Sequence, residues 1–244
     1  MTVDEIHKIA AVEQRQWWYR GTRDICFAVL DPFIAGRPAM DILDVGCGTD
    51  GNLLHLRHYG RARGIDIDPV CVEYCRKKGL DVSLGSMEEL GQPRTSIDLL
   101  TMFDVLSQAE PDRHVGILRG MAAVLRPGGI IAFREPAMAI ARGWHDIAVN
   151  LRTRFDKPGL AVLLRDAGFE PLRITYLNTL LFPPIVLLRQ LQRRRQPTLA
   201  KSDVEDTSEP INSVLLGILH LERALLRGMD LPFGVSAFAI ARKK

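Results

Sequence analysis

The sequence predicts an α/β fold: a doubly wound, mostly parallel, seven-stranded sheet with helices on both faces. Three observations carry that expectation. Short apolar runs alternate with helix-periodic segments from residue 40 to about residue 134. The first run, Met40 to Val45, leads straight into the glycine turn Gly46-Cys47-Gly48, and a helix opens at Asn52-Leu53-Leu54. A final apolar run, Val235 to Ala241, follows a second group of helical segments.

Residues 3 to 20 read as a helix with Ile6, Ile9, Ala10 and Val12 on one stripe, ending in Trp17-Trp18-Tyr19. A second helix, Thr22 to Leu30, presents Ile25, Cys26, Val29 and Leu30 on one face. Strand 40–45 precedes helix 51–59, strand 62–66 precedes helix 69–78, and a short strand lies at 81–84. Strand 97–103 is followed by helix 112–125, whose apolar face is Val115, Leu118, Met121, Ala122 and Leu125. Arg126-Pro127-Gly128-Gly129 breaks that helix, and strand 130–134 begins. Helix 158–167 closes at Gly168, and Leu172, Ile174 and Tyr176 alternate as in a strand. Leu180 to Gln192 is apolar, broken by Pro183-Pro184, and turns basic; Lys201 to Pro210 is a polar, acidic loop. Val214, Ile218, Leu221 and Leu225 share the face of one more helix before the last strand. The chain thus reads as one domain: cap helices over 1–33, a core over 34–178, a helical insert over 179–230 and a final strand over 231–244.

Composition bounds what this domain does. With 244 residues, 47% hydrophobic and 25% charged, it can bury a sizeable core. A net charge of +3 does not imply nucleic acid, and the short run Arg193-Arg194-Arg195 lacks the interleaved aromatics of a nucleic-acid surface. Cys26, Cys47, Cys71 and Cys75 match no disulfide framework or zinc spacing, so no metal is expected and the cysteines read as buried small side chains. No signal peptide or membrane-spanning run is visible, which makes cytoplasmic residence the expectation.

The glycine turn carries the chemistry. Its glycines let a ligand approach the backbone, and the following helix start offers free N–H groups to an anion. Gly46, Gly48 and Gly51 spell the G-x-G-x-x-G of dinucleotide sites, and Asp66 lies twenty positions beyond Gly46, where an acid binds ribose hydroxyls. Asp44 argues the other way, because a carboxylate beside a pyrophosphate repels it. S-adenosylmethionine has no phosphate and carries a cationic amino group and a sulfonium, so an acid there is tolerable. That cofactor is the preferred reading, and a nicotinamide-dependent oxidoreductase the alternative.

Five segments in the right order strengthen the preference: Leu43-Asp44-Val45-Gly46-Cys47-Gly48, Gly64-Ile65-Asp66, Gly85-Ser86-Met87-Glu88, Phe103-Asp104-Val105-Leu106 and Leu125-Arg126-Pro127-Gly128-Gly129. Over nearly its whole length the chain resembles class I S-adenosylmethionine-dependent methyltransferases. It is similar to a bacterial small-molecule subgroup with a Trp-Trp-aromatic start, here Trp17-Trp18-Tyr19, and a Leu-Pro-Phe-Gly strand, here Leu231-Pro232-Phe233-Gly234. The sequence departs from that subgroup at Asp50, where it has glycine, at Ser86 and Ser107-Gln108, and at Leu151-Arg152-Thr153-Arg154-Phe155, which lacks a second histidine.

The resemblance implies a cofactor set. Asp44, Gly46, Cys47 and Gly48 would hold the methionine part, Asp66 and Ile67 the ribose side, and Ser86, Met87 and Glu88 the adenine. Phe103 and Asp104 would line the floor near the methyl group. Trp18, Tyr19 and Arg23 would close the site from the N-terminal helices, an aromatic face attracting the sulfonium; plain packing of that helix is the alternative. His145 is the best-placed base, with a solvated loop histidine as the competing reading, and Glu135 and Tyr176 are weaker candidates. His114 and His220 read as helix decoration. Leu180 to Arg195 reads as a lid over an apolar acceptor or, alternatively, as a peripheral contact with anionic lipid. The expected activity is methyl transfer to a small, partly apolar metabolite at oxygen or nitrogen, releasing S-adenosylhomocysteine, by a monomer or homodimer. A protein that binds the cofactor without methyl transfer is the alternative.

Overall fold

A computed structural model describes residues 3–49, 51–143, 146, 150–193 and 207–244. Two helices open the chain, α1 (Val3–Val12) and α2 (Trp17–Ile34). The expected helix over 3–20 is therefore interrupted at 13–16, and the aromatic cluster starts α2 instead of ending α1. The reason is local: the Gln16 side chain accepts from the backbone N–H of Trp18 and Tyr19 and caps α2.

The core then alternates: β1 (Met40–Val45), α3 (Gly51–Leu56), β2 (Gly60–Asp66), α4 (Pro69–Lys77), β3 (Val82–Leu84), β4 (Ile97–Phe103), α5 (His114–Val124), β5 (Leu125–Pro136), α6 (Lys157–Asp166) and β6 (Phe169–Leu177). Asp68 caps α4 by accepting from Val70 N–H, with Pro69 at the first helical position. β5 starts at Leu125, so Arg126-Pro127-Gly128-Gly129 lies inside the strand and not ahead of it. The ladder absorbs these residues as a register shift opposite Ile97 and Leu99, with Gly128 at φ +73°. Next come α7 (Phe182–Arg193), α8 (Glu209–Leu226) and β7 (Ser236–Lys243). Pro183 and Pro184 do not break α7; they sit in its first turn, where missing N–H groups cost nothing.

The sheet has seven strands in the order β3-β2-β1-β4-β5-β7-β6. β7 alone runs antiparallel, paired with β5 on one side and β6 on the other. Successive residues feed opposite faces: Ile42, Leu99, Ile130 and Ile240 pack on one, Leu43, Leu100, Ile131 and Ala239 on the other. Both faces are covered, which is why these strands carry adjacent apolar residues such as Ile42-Leu43, Leu99-Leu100 and Ile130-Ile131. Gly21 lets α2 and α8 close on each other, because a Cβ there would collide with the Leu219 side chain. The same pair is joined by Trp17 N–H donating to Asn212 Oδ1 at 2.7 Å and by His220 facing Asp24 at 3.3 Å.

Candidate functional site

The C-terminal ends of β1, β2, β4 and β5 bring most of the sequence-predicted residues together. At the end of β1, Gly46 and Gly48 hold φ +70° and +59°, conformations that side chains rarely adopt. A Cβ at Gly46 would run into Val105, whereas the space beside Gly48 is open. Gly46 and Cys47 N–H both donate to Ile65 O, at 2.8 and 3.1 Å, which pins the turn to β2. Asp66 fixes it further: one carboxylate oxygen accepts from Gly48 N–H at 2.9 Å and the other from Asp68 N–H at 2.9 Å. Burial raises the Asp66 pKa, and those amides pull it back. Its neighbour Ile67 is 76% exposed, an apolar side chain left open at the strand end.

Asp44 is buried one turn beneath. Thr101 Oγ1 donates to its Oδ1 at 2.6 Å, while Oδ2 is buried with no hydrogen-bond partner. Burial pushes its carboxyl up to about 7, against the Thr101 bond and with help from Asp66. Cys47 is buried against Cys75, whose thiol donates to Gly48 O at 3.3 Å, and that proximity and burial raise the Cys47 pKa. All four cysteines are free and buried, and the described residues include no metal-ligating cluster.

Beyond β3, Ser86 Oγ accepts from Glu88 and Glu89 N–H at 3.3 and 3.1 Å, shaping the loop. Met87 packs on the core, and the Glu88 carboxylate pairs with Arg113. At the end of β4, Phe103 stacks edge-on to Phe27, at 6.3 Å, beneath the Arg134 guanidinium, 5.6 Å away. Asp104, at φ +60°, pairs with Arg134. Burial opposes the Arg134 charge, but Asp104 and Cys26 outweigh it and raise its pKa. Glu135 is fully buried and takes three amides, from Val105, Leu106 and Ser107, at 3.3, 2.8 and 3.0 Å. Burial pushes its carboxyl up to about 8, with Asp104 adding to the rise.

From the N-terminal helices, Trp18 sits edge-on to Trp17 at 5.5 Å, and Trp17 packs on the core. The Tyr19 pKa is raised by burial, then by Glu13, Glu5 and Asp104. Arg23 and Glu13 both abut Gly51 at the start of α3, within 2.8 and 2.7 Å of where its Cβ would be. Glu13 also accepts from Thr49 Oγ1 at 2.6 Å.

Other candidates fall elsewhere. His145 and Asp50 lie outside the described residues. Asp146, its sequence neighbour, is engaged by Arg154 through two bonds of 2.6 and 2.7 Å. Tyr176 is buried, its hydroxyl accepting from Lys157 N–H at 3.2 Å. His114 is not a surface decoration: it is buried against Phe155, with ring centroids 5.3 Å apart, and burial lowers its pKa. Glu13 and Arg134 were missed from sequence. Arg134 had a signal, being the first charged residue after an apolar strand, next to Glu135; Glu13 had none.

A sheet of this order with β7 antiparallel, and a glycine turn over a buried acid at its switch point, defines the Rossmann-like methyltransferase fold. A family described as a methyltransferase domain matches residues 43–133. No sequence among proteins of curated function matches the chain. Solved structures do. The [4+2]-cyclase SpnF is 21% identical with a TM-score of 0.62, covering 99% of this chain and 92% of that one. An S-adenosylmethionine-dependent methyltransferase from Archaeoglobus fulgidus is 18% identical with a TM-score of 0.57, covering 91% and 94%. A possible histamine N-methyltransferase from Thermotoga maritima is 17% identical with a TM-score of 0.57, covering 98% and 99%.

Proposed function

We propose that this protein binds S-adenosylmethionine and transfers its methyl group to oxygen or nitrogen of a small, partly apolar acceptor. The observation that carries the reading is the turn itself: left-handed Gly46 and Gly48 tied to the Asp66 carboxylate, with the partnerless Asp44 oxygen buried below. These residues fit the cofactor. An orphaned buried carboxylate oxygen suits a cationic amino group, and the lone pairs Asp66 keeps suit two ribose hydroxyls. Ser86 and Met87 would flank the adenine, with Ile67 on the ribose side. When bound, the cofactor supplies an already activated methyl group, so positioning does much of the work and a base serves only an acceptor that must lose a proton. Phe103, the Asp104–Arg134 pair and Tyr19 would wall the methyl end, with His145 as the proposed base.

The antiparallel β7 supports this reading over a nicotinamide oxidoreductase, whose sheet is ordinarily all parallel. Cofactor binding without methyl transfer is the second reading, favoured by the resemblance to a structure described as a cyclase. Calorimetric titration with S-adenosylmethionine, S-adenosylhomocysteine and NADH tests the first step, and an acceptor screen read by S-adenosylhomocysteine release tests the second. Binding of the two adenosyl ligands with NADH silent is the expected result. Binding of NADH alone would overturn the proposal, and cofactor binding without turnover on any acceptor would favour the second reading.

A further inference from the structure

Sixteen large apolar side chains are exposed among the described residues, and ten of them lie between Leu180 and Phe233. The fold thus leaves its apolar surface uncovered chiefly in the insert. On α7, Leu187, Leu188 and Leu191 are 62%, 57% and 51% exposed, and Leu180 and Pro184 continue the stripe at helical spacing. The opposite side of α7 holds the protein. Arg189 Nη1 donates to Ala141 O at 2.5 Å, Gln190 Nε2 donates to Ile140 O at 2.9 Å, and Ile185 packs against the core. Ile140, beside that contact, is itself exposed.

Charge selects the occupant. From Leu180 to Arg195 the sequence has no carboxylate; Arg189 lies on the side that holds the protein, and Arg193, Arg194 and Arg195 follow the last leucine of the stripe in sequence. The outward stripe of α8 (Ile211, Val214, Leu221, Leu225) instead follows Asp203, Glu205, Asp206 and Glu209. We propose that the outward stripe of α7 docks on an anionic lipid surface, the helix lying in the interface plane with its leucines in the acyl boundary. A second copy is the poorer occupant: the sequence of α7 has arginines and no carboxylate, so two α7 stripes meeting across a two-fold axis would add like charge without a counter-charge. No described helix is long and apolar enough to cross a membrane, so the contact is peripheral. This inference goes beyond methyl transfer and does not rest on it.

The test is vesicle flotation of the full chain without cofactor. The protein is expected to float with vesicles of about three parts phosphatidylcholine to one part phosphatidylglycerol, less so as salt rises, and not with phosphatidylcholine alone. Leu187→Asp with Leu191→Asp should lower partition on the order of 10-fold or more. Both sites are exposed, so thermal unfolding should be unchanged; if that variant fails to fold, the Leu187→Ser, Leu191→Ser pair replaces it. Equal partition to neutral and anionic vesicles, or no effect of the substitutions, would overturn the proposal. So would a dimer in light scattering that the same substitutions dissolve, which would assign the stripe to a second copy. Failure of the methyl-transfer reading would show separately, as absent S-adenosylmethionine binding.

Discussion

Replacing Asp44 with asparagine should make the protein more stable and a poorer cofactor binder, and the stability gain should depend on pH. Asparagine keeps the shape and still accepts from Thr101 Oγ1. It removes a carboxyl whose folded pKa is raised from 3.8 to about 7 by burial. A raised carboxyl contributes stability that is present below its unfolded pKa and is lost as pH rises through the folded value. Wild type therefore loses this contribution between about pH 4 and 7, whereas the Asp44→Asn variant, with no carboxyl to titrate there, does not. Integrating proton binding from pH 5 to pH 8 gives about 2–3 kcal/mol more stabilisation by Asp44→Asn at the higher pH. In a chain of this length that is roughly 5–10 °C in melting temperature. Glu135, which also titrates high, is present in both proteins and cancels. The assay is denaturant unfolding of both proteins at the two pH values, with titration calorimetry of S-adenosylmethionine alongside. An equal difference in stability at both pH values would refute the reasoning, since Asp44 would then be ionised in the folded state as it is in the unfolded one.

The other predictions concern neighbouring residues. Asp66→Ala should weaken S-adenosylmethionine binding on the order of 10-fold or more by removing acceptors for two hydroxyls; an unchanged dissociation constant by calorimetry would reject that role. Gly46→Ala meets both a left-handed φ of +70° and the Val105 side chain, so urea unfolding should show a loss of about 2–4 kcal/mol. Glu222 is buried on α8 and accepts from Asn178 and Leu180 N–H at 2.5 and 2.9 Å; Glu222→Ala should cost about 2–4 kcal/mol and make 178–182 a preferred site of limited proteolysis. His145→Ala should lower turnover with little change in cofactor affinity, and wild-type rates would remove His145 from the catalytic reading.

The strand–helix alternation was legible because both sheet faces are buried and the central strands carry adjacent apolar residues, as at Leu99-Leu100 and Ile130-Ile131. The turn was legible because left-handed backbone at Gly46 and Gly48 leaves few residue choices. Legibility failed where tertiary contacts set the outcome. The break between α1 and α2 depends on a glutamine cap, a residue with weak capping preference, and the start of β5 on a ladder that tolerates Pro127. His114 looks like any exposed helix residue until Phe155 arrives from about forty positions away. The Asp104–Arg134 pair and Glu13 on Thr49 are long-range polar contacts, and periodicity carries no information about them.

The placing of β7 between β5 and β6 has a consequence for synthesis on the ribosome. Among the described residues β6 forms no ladder except with β7, and β5 keeps an open edge until β7 is made. Roughly a hundred residues separate Pro136 from Ser236, several seconds of translation at ordinary rates. Throughout that interval the nascent chain carries an apolar strand edge, Ile130 to Phe133, joined in its second half by the uncovered leucines of α7. The strand that locks the sheet is the one that arrives last, so a chain stalled short of Ser236 should be a client for chaperones, whatever the rest of it has already folded.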